Sequence, residues 1–181
     1  MTATATTTPR VWIGCLHCYN DGALIGEWFD AVDADEVTVS QLHVGSGRNG
    51  APCEELWVMD HENMPIPGEI DPLAAAAWGR CLEEFDEHLR PALMAWVRSG
   101  SYVAEGTGDL PSLPAFEERY CGEWDSFEEY AEQLAEDIGL LAGVPEEVAR
   151  YFAWDRWARD LAFDYTCEDA PGSGVFVFRD L

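Results

Sequence analysis

Short apolar runs alternate with longer stretches of helical period along this chain, and this pattern predicts an α+β fold. Apolar runs at 11–16 and 56–59 predict two strands, and the run at 175–178 predicts a closing strand. A turn signal at 20–22 is followed by a further apolar stretch, so we interpret 23–30 as the second strand of a hairpin. The apolar pattern therefore indicates small antiparallel sheets near both ends of the chain.

Helix signals dominate the middle of the chain. Asp71 followed by Pro72 is a typical N-cap and first-turn pair, which predicts a helix running to about Leu89. Pro91 predicts the start of a second, short helix, and Gly100 predicts its end. We expect these two helices to form a helical region between the sheets.

Other segments are less regular. Residues 33–44 combine an acidic helix start with a β-branched run, so helix and strand remain alternatives there. The Thr- and Ala-rich residues 1–9 predict a disordered tail, 45–52 a loop, and the Gly- and Pro-rich segment 105–114 a linker. Short helical stretches are predicted after Pro145 and over 155–163.

The strongest single helix signal begins at Ser126. Ser126 and Glu129 have the spacing of a capping box. The apolar positions that follow recur at helical spacing and predict a buried stripe. This stripe consists of Phe127, Tyr130, Ala131, Leu134, Ile138 and Leu141.

The remaining surface of that helix is acidic, and so is the chain as a whole. There are 35 acidic residues against 10 basic ones, a formal net charge of −25 at pH 7. The acidic residues are spread along the chain, so they do not form an acidic tail on a globular domain. Apolar residues make up 48% of the chain, which excludes a disordered acidic chain. Direct nucleic-acid binding is disfavoured because it requires basic patches. No long apolar run predicts a membrane span and no signal peptide is visible, so we expect a cytoplasmic protein.

Glu128, Glu132 and Glu136 form a row in which each carboxylate lies four residues from the next. Like charges at that spacing repel by a few tenths of a kcal/mol per pair, roughly. No Lys or Arg lies between Arg119 and Arg150 to relieve this repulsion. Such a rigid row of carboxylates could be read as phosphates by a basic partner. Adaptation to high salt, or a GC-rich genome, would equally explain the composition, although neither selects one helix.

Cys15 and Cys18 form a C-x-x-C motif, but the sequence holds no second pair of closely spaced ligands, so we expect reduced thiols and no metal. A thioredoxin-like role is disfavoured because no helix is predicted after the motif.

Residues 45–50 match the dinucleotide-binding pattern G-x-G-x-x-G. Glu54 and Glu55 follow, however, where the free amides of a helix start would have to bind a pyrophosphate, so we interpret residues 45–50 as a Gly-rich loop. No nucleophile motif or calcium-loop spacing occurs, so we expect no enzyme activity and no cofactor.

Four C-terminal segments stand out: 116–131 (FEERYCGEWDSFEEYA), 151–161 (YFAWDRWARDL), Asp164-Tyr165 and Val177-Phe178-Arg179. They resemble the ArdA antirestriction family, and 10–30 and 55–65 are similar to the first domain of that family. The resemblance covers nearly the whole chain and is weakest over 37–52 and through the middle helices. Cys15, His17 and Cys18 are not part of the family pattern, Ala153 replaces a common acidic cap, and 62–64 (ENM) replaces a commoner Glu-Gly-Phe.

The resemblance implies a non-enzymatic inhibitor carried by mobile elements, an elongated homodimer whose carboxylates imitate B-form DNA. Its implied partner is a type I restriction–modification enzyme, whose DNA-binding groove it would occupy. The implied division is an N-terminal α+β domain (1–66), a helical middle domain (67–110) and a C-terminal α+β domain (111–181). The alternative is a generic acidic antagonist or chaperone of another basic nucleic-acid-binding protein.

Two groups of candidate site residues follow. The phosphate-imitating carboxylates are predicted to be Glu83, Glu84, Asp86, Glu87, Glu117, Glu118, Glu123, Asp125, Glu128, Glu129, Glu132, Glu136, Asp137, Glu146 and Glu147. The dimer interface is predicted to include the C-terminal aromatic residues Trp154, Trp157, Phe163 and Tyr165, with a purely local core as the alternative.

Overall fold

Helices and two small antiparallel sheets make up the computed structural model, which describes residues 8–47, 53–102, 104 and 109–180. The fold is therefore α+β, as predicted. The strands are β1 (Arg10–Cys15), β2 (Gly26–Asp30), β3 (Leu56–Glu62), β4 (Tyr120–Trp124), β5 (Tyr165–Asp169) and β6 (Val175–Arg179). The α-helices are α1 (Leu16–Asn20), α2 (Val39–His43), α3 (Pro72–Glu84), α4 (Arg90–Ser99), α5 (Leu113–Arg119), α6 (Phe127–Asp137), α7 (Glu146–Ala149) and α8 (Trp154–Leu161).

The first sheet has the order β2-β1-β3, and both pairings are antiparallel. The central strand β1 buries Val11, Ile13 and Cys15 completely. On its other face Trp12 covers Gly26 of β2, where an added Cβ would lie 2.5 Å from the indole ring. The predicted hairpin of β1 and β2 is thus confirmed, although its second strand begins only at Gly26.

The second sheet has the order β4-β6-β5, again antiparallel throughout. Its central strand β6 buries Phe176, Val177 and Phe178. Trp96 of α4 stacks on Phe178 with a ring-centroid distance of 6.2 Å, and Phe116 of α5 meets the Trp96 edge at 5.7 Å. Aromatic packing of this kind adds to the stabilisation from burial alone.

Contacts between residues divide the chain into two compact units. Unit 1 comprises Met1–Arg90 and Ala104–Pro111, and unit 2 comprises Pro91–Val103 and Ser112–Leu181. The residues of the predicted middle domain, 67–110, are shared between the units, with α3 in unit 1 and nearly all of α4 in unit 2. The separate three-domain division stays a prediction.

Helix α3 begins as predicted, with the Asp71 carboxylate accepting a hydrogen bond from the Ala74 amide at 2.9 Å. It ends at Glu84, however, and not at about Leu89. The acidic run at its end opposes the helix dipole, and the Arg90 Nε donates to the Leu82 carbonyl at 2.9 Å. A short 3-10 turn, Glu87–Leu89, follows and leads into α4.

Local signals also resolve the ambiguous segment 33–44. It is helical, with a 3-10 helix at Ala31–Glu36 and then α2. Thr38 forms a complete capping box with Gln41, which fixes the start of α2 in spite of the β-branched run. The predicted tail 1–9, the loop 45–52 and the linker 105–114 lie largely outside the described residues, although α5 begins within that linker.

Candidate functional site

The acidic helix α6 begins where the sequence predicts, because two hydrogen bonds close its first turn. The Ser126 hydroxyl accepts from the Glu129 amide at 3.2 Å. The Glu129 carboxylate accepts from the Asp125 amide at 2.9 Å, one residue before the position expected for a standard capping box. The charge of Glu129 is therefore held in one place at the positive end of the helix dipole.

One face of α6 is fixed on the aromatic core of unit 2. The Tyr130 ring meets Trp124, Phe127 and Tyr165 at centroid distances of 5.6, 5.7 and 5.2 Å. Burial, together with its hydrogen bond to Tyr165, raises the pKa of Tyr130, so the phenol stays neutral. This packing makes the opposite face of α6 a rigid surface that is open to solvent.

The predicted apolar stripe of this helix is only partly right. Tyr130, Ala131 and also Ala135 are buried, but the helix ends at Asp137. Ile138 is 59% exposed, because the chain turns away at Gly139, whose φ is +63°.

Five carboxylates occupy the solvent face of α6, and all of them are exposed. They are Glu128, Glu129, Glu132, Glu136 and Asp137. Among the described residues none of these five forms an ion pair. The Asp137 carboxylate accepts a hydrogen bond from the neutral Gln133 amide at 2.8 Å. The charge of this face is thus not compensated by neighbouring cations.

The other ten predicted carboxylates are exposed too. Glu83, Glu84, Asp86 and Glu87 lie in unit 1 at the end of α3 and in the following turn. The other six lie in unit 2, as α6 does. They are Glu117 and Glu118 on α5, Glu123 on β4, Asp125 just before the Ser126 cap, and Glu146 and Glu147 on α7. Glu146 differs from those on α6, because Arg150 donates to its carboxylate at 3.0 Å.

The four aromatic residues predicted at a dimer interface have different surroundings. Trp154 and Trp157 pack edge to face at 6.1 Å, and Trp154 also meets Phe152. Tyr165 packs on Phe127 and Tyr130, so it belongs to the core under α6. Phe163, in contrast, is 84% exposed. The purely local alternative therefore describes Tyr165 well but leaves Phe163 unexplained.

Unit 1 contains a second group of reactive side chains that the sequence pattern did not connect. The ligand atoms of Cys15, Cys18, His43 and Cys53 all lie within 4.8 Å of one another. Cys15 ends β1, Cys18 lies in α1, His43 ends α2, and Cys53 precedes β3 by three residues. The sequence argument considered only a second pair of closely spaced ligands, whereas the fold brings two single side chains from distant positions to Cys15 and Cys18.

The thiols of this group perturb one another. Burial raises the pKa of the Cys15 thiol, but hydrogen bonds from the Cys18 amide, the Cys53 and Cys18 thiols and the His17 amide lower it by more. Burial and the Cys15 and Cys18 thiols raise the pKa of Cys53 to about 12. A sequence signal did exist, since Thr38 and Gln41 have the spacing of a capping box and predict a helix that ends near His43, but nine residues separate His43 from Cys53.

The helix α1 corrects a further expectation, since a helix does follow Cys15 directly. It has only five residues, and its third residue, Cys18, contacts His43 and Cys53. This arrangement is a cluster of soft ligands, whereas a dithiol redox motif would keep an exposed nucleophile at a helix N-terminus.

Comparison with known protein families identifies a match over most of the chain. A family model described as antirestriction protein (ArdA) matches residues 11–174. No curated protein matches the chain. Within the described residues no helix is both long enough and apolar enough to cross a membrane.

Proposed function

The chain belongs to the ArdA family of antirestriction proteins, and on that premise we propose that its acidic surface imitates the phosphates of B-form DNA. The imitation occupies the DNA-binding groove of a type I restriction–modification enzyme and excludes its substrate. The protein then acts as a stoichiometric inhibitor and not as an enzyme. Family membership supports the antirestriction function, and the surface of α6 supports the mode of action.

The charge spacing on α6 is the observation that carries this proposal. The helix has 11 residues and five carboxylates, so at about 1.5 Å per residue it presents one charge per roughly 3.3 Å of axis. One strand of duplex DNA presents one phosphate per about 3.4 Å. A basic groove that binds a DNA strand therefore meets a similar density of negative charge along this helix.

The rigidity of α6 makes this array of charges effective. The carboxylates stand on a helix that is capped by Ser126 and anchored by Tyr130. The repulsion between these carboxylates is already included in the free energy of folding. Binding to the enzyme therefore has no additional cost for bringing the charges close together. Charge contacts to the phosphate positions need no base recognition, which suits an inhibitor of enzymes with different target sequences.

We expect inhibition to be competitive with DNA and to weaken steeply with salt. Charge contacts between exposed groups are screened by salt, and a groove that binds phosphates loses affinity as ionic strength rises. With about five contacts on α6, the inhibition constant should increase at least about tenfold between roughly 50 and 200 mM salt. The measurement is cleavage of unmodified DNA by a type I enzyme at varied DNA and inhibitor concentrations.

Methylation by the same enzyme is the companion assay, because occupation of a shared groove blocks both reactions. An inhibition constant that does not change with salt contradicts the proposal, and so does a ternary complex that still holds DNA in the groove. Equal inhibition of an unrelated basic DNA-binding protein at the same salt would favour the generic acidic antagonist instead.

We also propose that the chain forms a homodimer through a surface that includes Phe163. A phenylalanine that is 84% exposed leaves apolar area in water, and its burial would contribute about 1.5–3 kcal/mol. Phe163→Asp should therefore weaken dimerisation by more than about tenfold. Sedimentation of the full chain over a range of concentrations measures this change.

The matched control is Leu24→Asp, which adds the same charge at an apolar residue of unit 1 that is 70% exposed. This variant should sediment like the unsubstituted chain. A full chain that stays monomeric at all concentrations, or a Phe163→Asp variant that dimerises normally, refutes the dimer proposal.

A further inference from the structure

The cluster of Cys15, Cys18, His43 and Cys53 in unit 1 has the composition of a metal site. Three sulfur ligands and one imidazole form a Cys₃His set, which is typical of structural zinc. Carboxylates, the ligands that magnesium and calcium prefer, take no part in this set. We propose that these four residues bind one zinc ion.

The observed separations fit tetrahedral coordination. With Zn–S of about 2.3 Å and Zn–N of about 2.0–2.1 Å, the edges of a tetrahedron are about 3.8 Å between two sulfurs and about 3.6 Å between sulfur and nitrogen. The Cys18 Sγ lies 3.6 Å from the Cys53 Sγ and 3.4 Å from the His43 Nε2. The largest separation in the cluster is at most 4.8 Å, so shifts of about 1 Å complete the site.

His43 is prepared to act as a ligand through Nε2. Its Nδ1 lies 2.8 Å from the Val39 carbonyl, so Nδ1 carries the hydrogen and donates it there. The lone pair of Nε2 then faces the thiols. Metal-binding histidines usually have such a second hydrogen bond, which fixes the orientation of the ring. Within the described part of the chain His43 is the one polar or charged residue that is buried.

The local fold delivers each ligand independently of any metal. Pairing of Cys15 with Leu56 and the hydrogen bond from the Leu16 amide to the Glu55 carbonyl, at 3.1 Å, bring the start of β3 beside the end of β1. The Thr38 cap sets α2, whose last residue is His43. Cys15 and Cys18 are 0% and 2% exposed, so the site is closed to solvent on their side.

Four protein ligands leave no open coordination position, and this fits a structural role. The ion would fasten α1 and α2 to the sheet of unit 1. Both helices have only five residues and cannot be stable alone. Because the carboxylates of α6 belong to unit 2, the zinc site does not depend on the proposed inhibition.

Zinc content of the full chain tests this inference. Protein purified under reducing conditions without chelator should contain one zinc per chain by elemental analysis. Cys18→Ser and Cys53→Ser should each weaken zinc binding by more than about 100-fold, beyond the effect of losing a supporting residue. The matched controls are Cys167→Ser, an exposed thiol outside the cluster, and His61→Ala on β3, and both should keep the metal.

Cobalt titration keeps the test decisive if a variant fails to fold. The unsubstituted chain, stripped of metal and kept reduced, should bind one cobalt(II) with the absorption bands of tetrahedral thiolate coordination. Zinc should displace the cobalt and raise the melting temperature, and magnesium should do neither. Purified protein without zinc that gives no tetrahedral cobalt spectrum overturns the inference. So does a disulfide between Cys18 and Cys53 in protein purified under those reducing conditions.

Discussion

Replacing the five carboxylates of α6 together by amides is expected to weaken inhibition about 100-fold, whereas each replacement alone should change it by at most about fivefold. A single exposed charge contact contributes about 0.2–1 kcal/mol, and five such contacts together contribute about 3 kcal/mol. The set consists of Glu128→Gln, Glu129→Gln, Glu132→Gln, Glu136→Gln and Asp137→Asn. Inhibition of DNA cleavage by a type I enzyme, measured for the singles and the full set, gives the result.

The fold should survive this change. A glutamine at 129 can still accept the hydrogen bond from the Asp125 amide, and an asparagine at 137 can still accept the one from the Gln133 side-chain amide. Loss of the favourable interaction with the helix N-terminus costs about 0.3–1 kcal/mol per charge, and loss of the repulsion along the row offsets part of it. Circular dichroism should therefore show an unchanged helix content.

A second set of five substitutions separates local charge from total charge. Glu27, Glu54, Glu55, Glu62 and Glu69 are exposed, lie in unit 1 and are not among the predicted phosphate-imitating residues. Changing these five to Gln alters the net charge equally but should leave inhibition within about threefold. Equal losses for the two sets would mean that only bulk acidity matters. One substitution that abolishes inhibition in a folded chain would indicate a small hot spot instead.

The surface of α6 could be predicted from sequence because its determinants are local. A cap at Ser126, an apolar stripe and an acidic remainder all lie within about three turns of helix, and the structure confirms that the carboxylates are exposed. The same reasoning placed the start of α3 at Asp71. Whether these carboxylates bind a restriction enzyme depends on a partner, which no local pattern can establish.

Contacts between different elements decided the features that the sequence pattern missed. Helix α3 was predicted too long because the bond between Arg90 and the Leu82 carbonyl joins residues in different elements. The cluster of Cys15, Cys18, His43 and Cys53 was missed for the same reason, since 24 residues separate Cys18 from His43. A sequence search for two pairs of closely spaced ligands finds only sites in which each pair lies on one short segment. In this chain His43 lies at the end of the capped helix α2, and Cys53 lies in the segment before β3.

The aromatic core of unit 2 around Phe178 should be far more sensitive to substitution than the acidic surface of α6. Phe178 is fully buried on the central strand β6, where its ring meets Trp96, Phe116 and Tyr120 at 6.2, 6.2 and 5.6 Å. Phe178→Ala should lower the free energy of unfolding by about 3–5 kcal/mol, since it removes apolar burial and leaves a cavity between rings that are themselves held in place. Chemical denaturation followed by circular dichroism measures the loss.

Tyr151→Ala is the matched control, since it truncates an aromatic residue of the same unit that is 89% exposed. Its effect should stay within about 0.5 kcal/mol. Phe178→Leu keeps most of the volume and should cost less than about 1.5 kcal/mol. If Phe178→Ala is no more destabilising than Tyr151→Ala, then Phe178 is not central to the core of unit 2. The unfolded fraction must be measured before inhibition by any α6 variant is interpreted, because loss of this core removes the surface without changing a single charge.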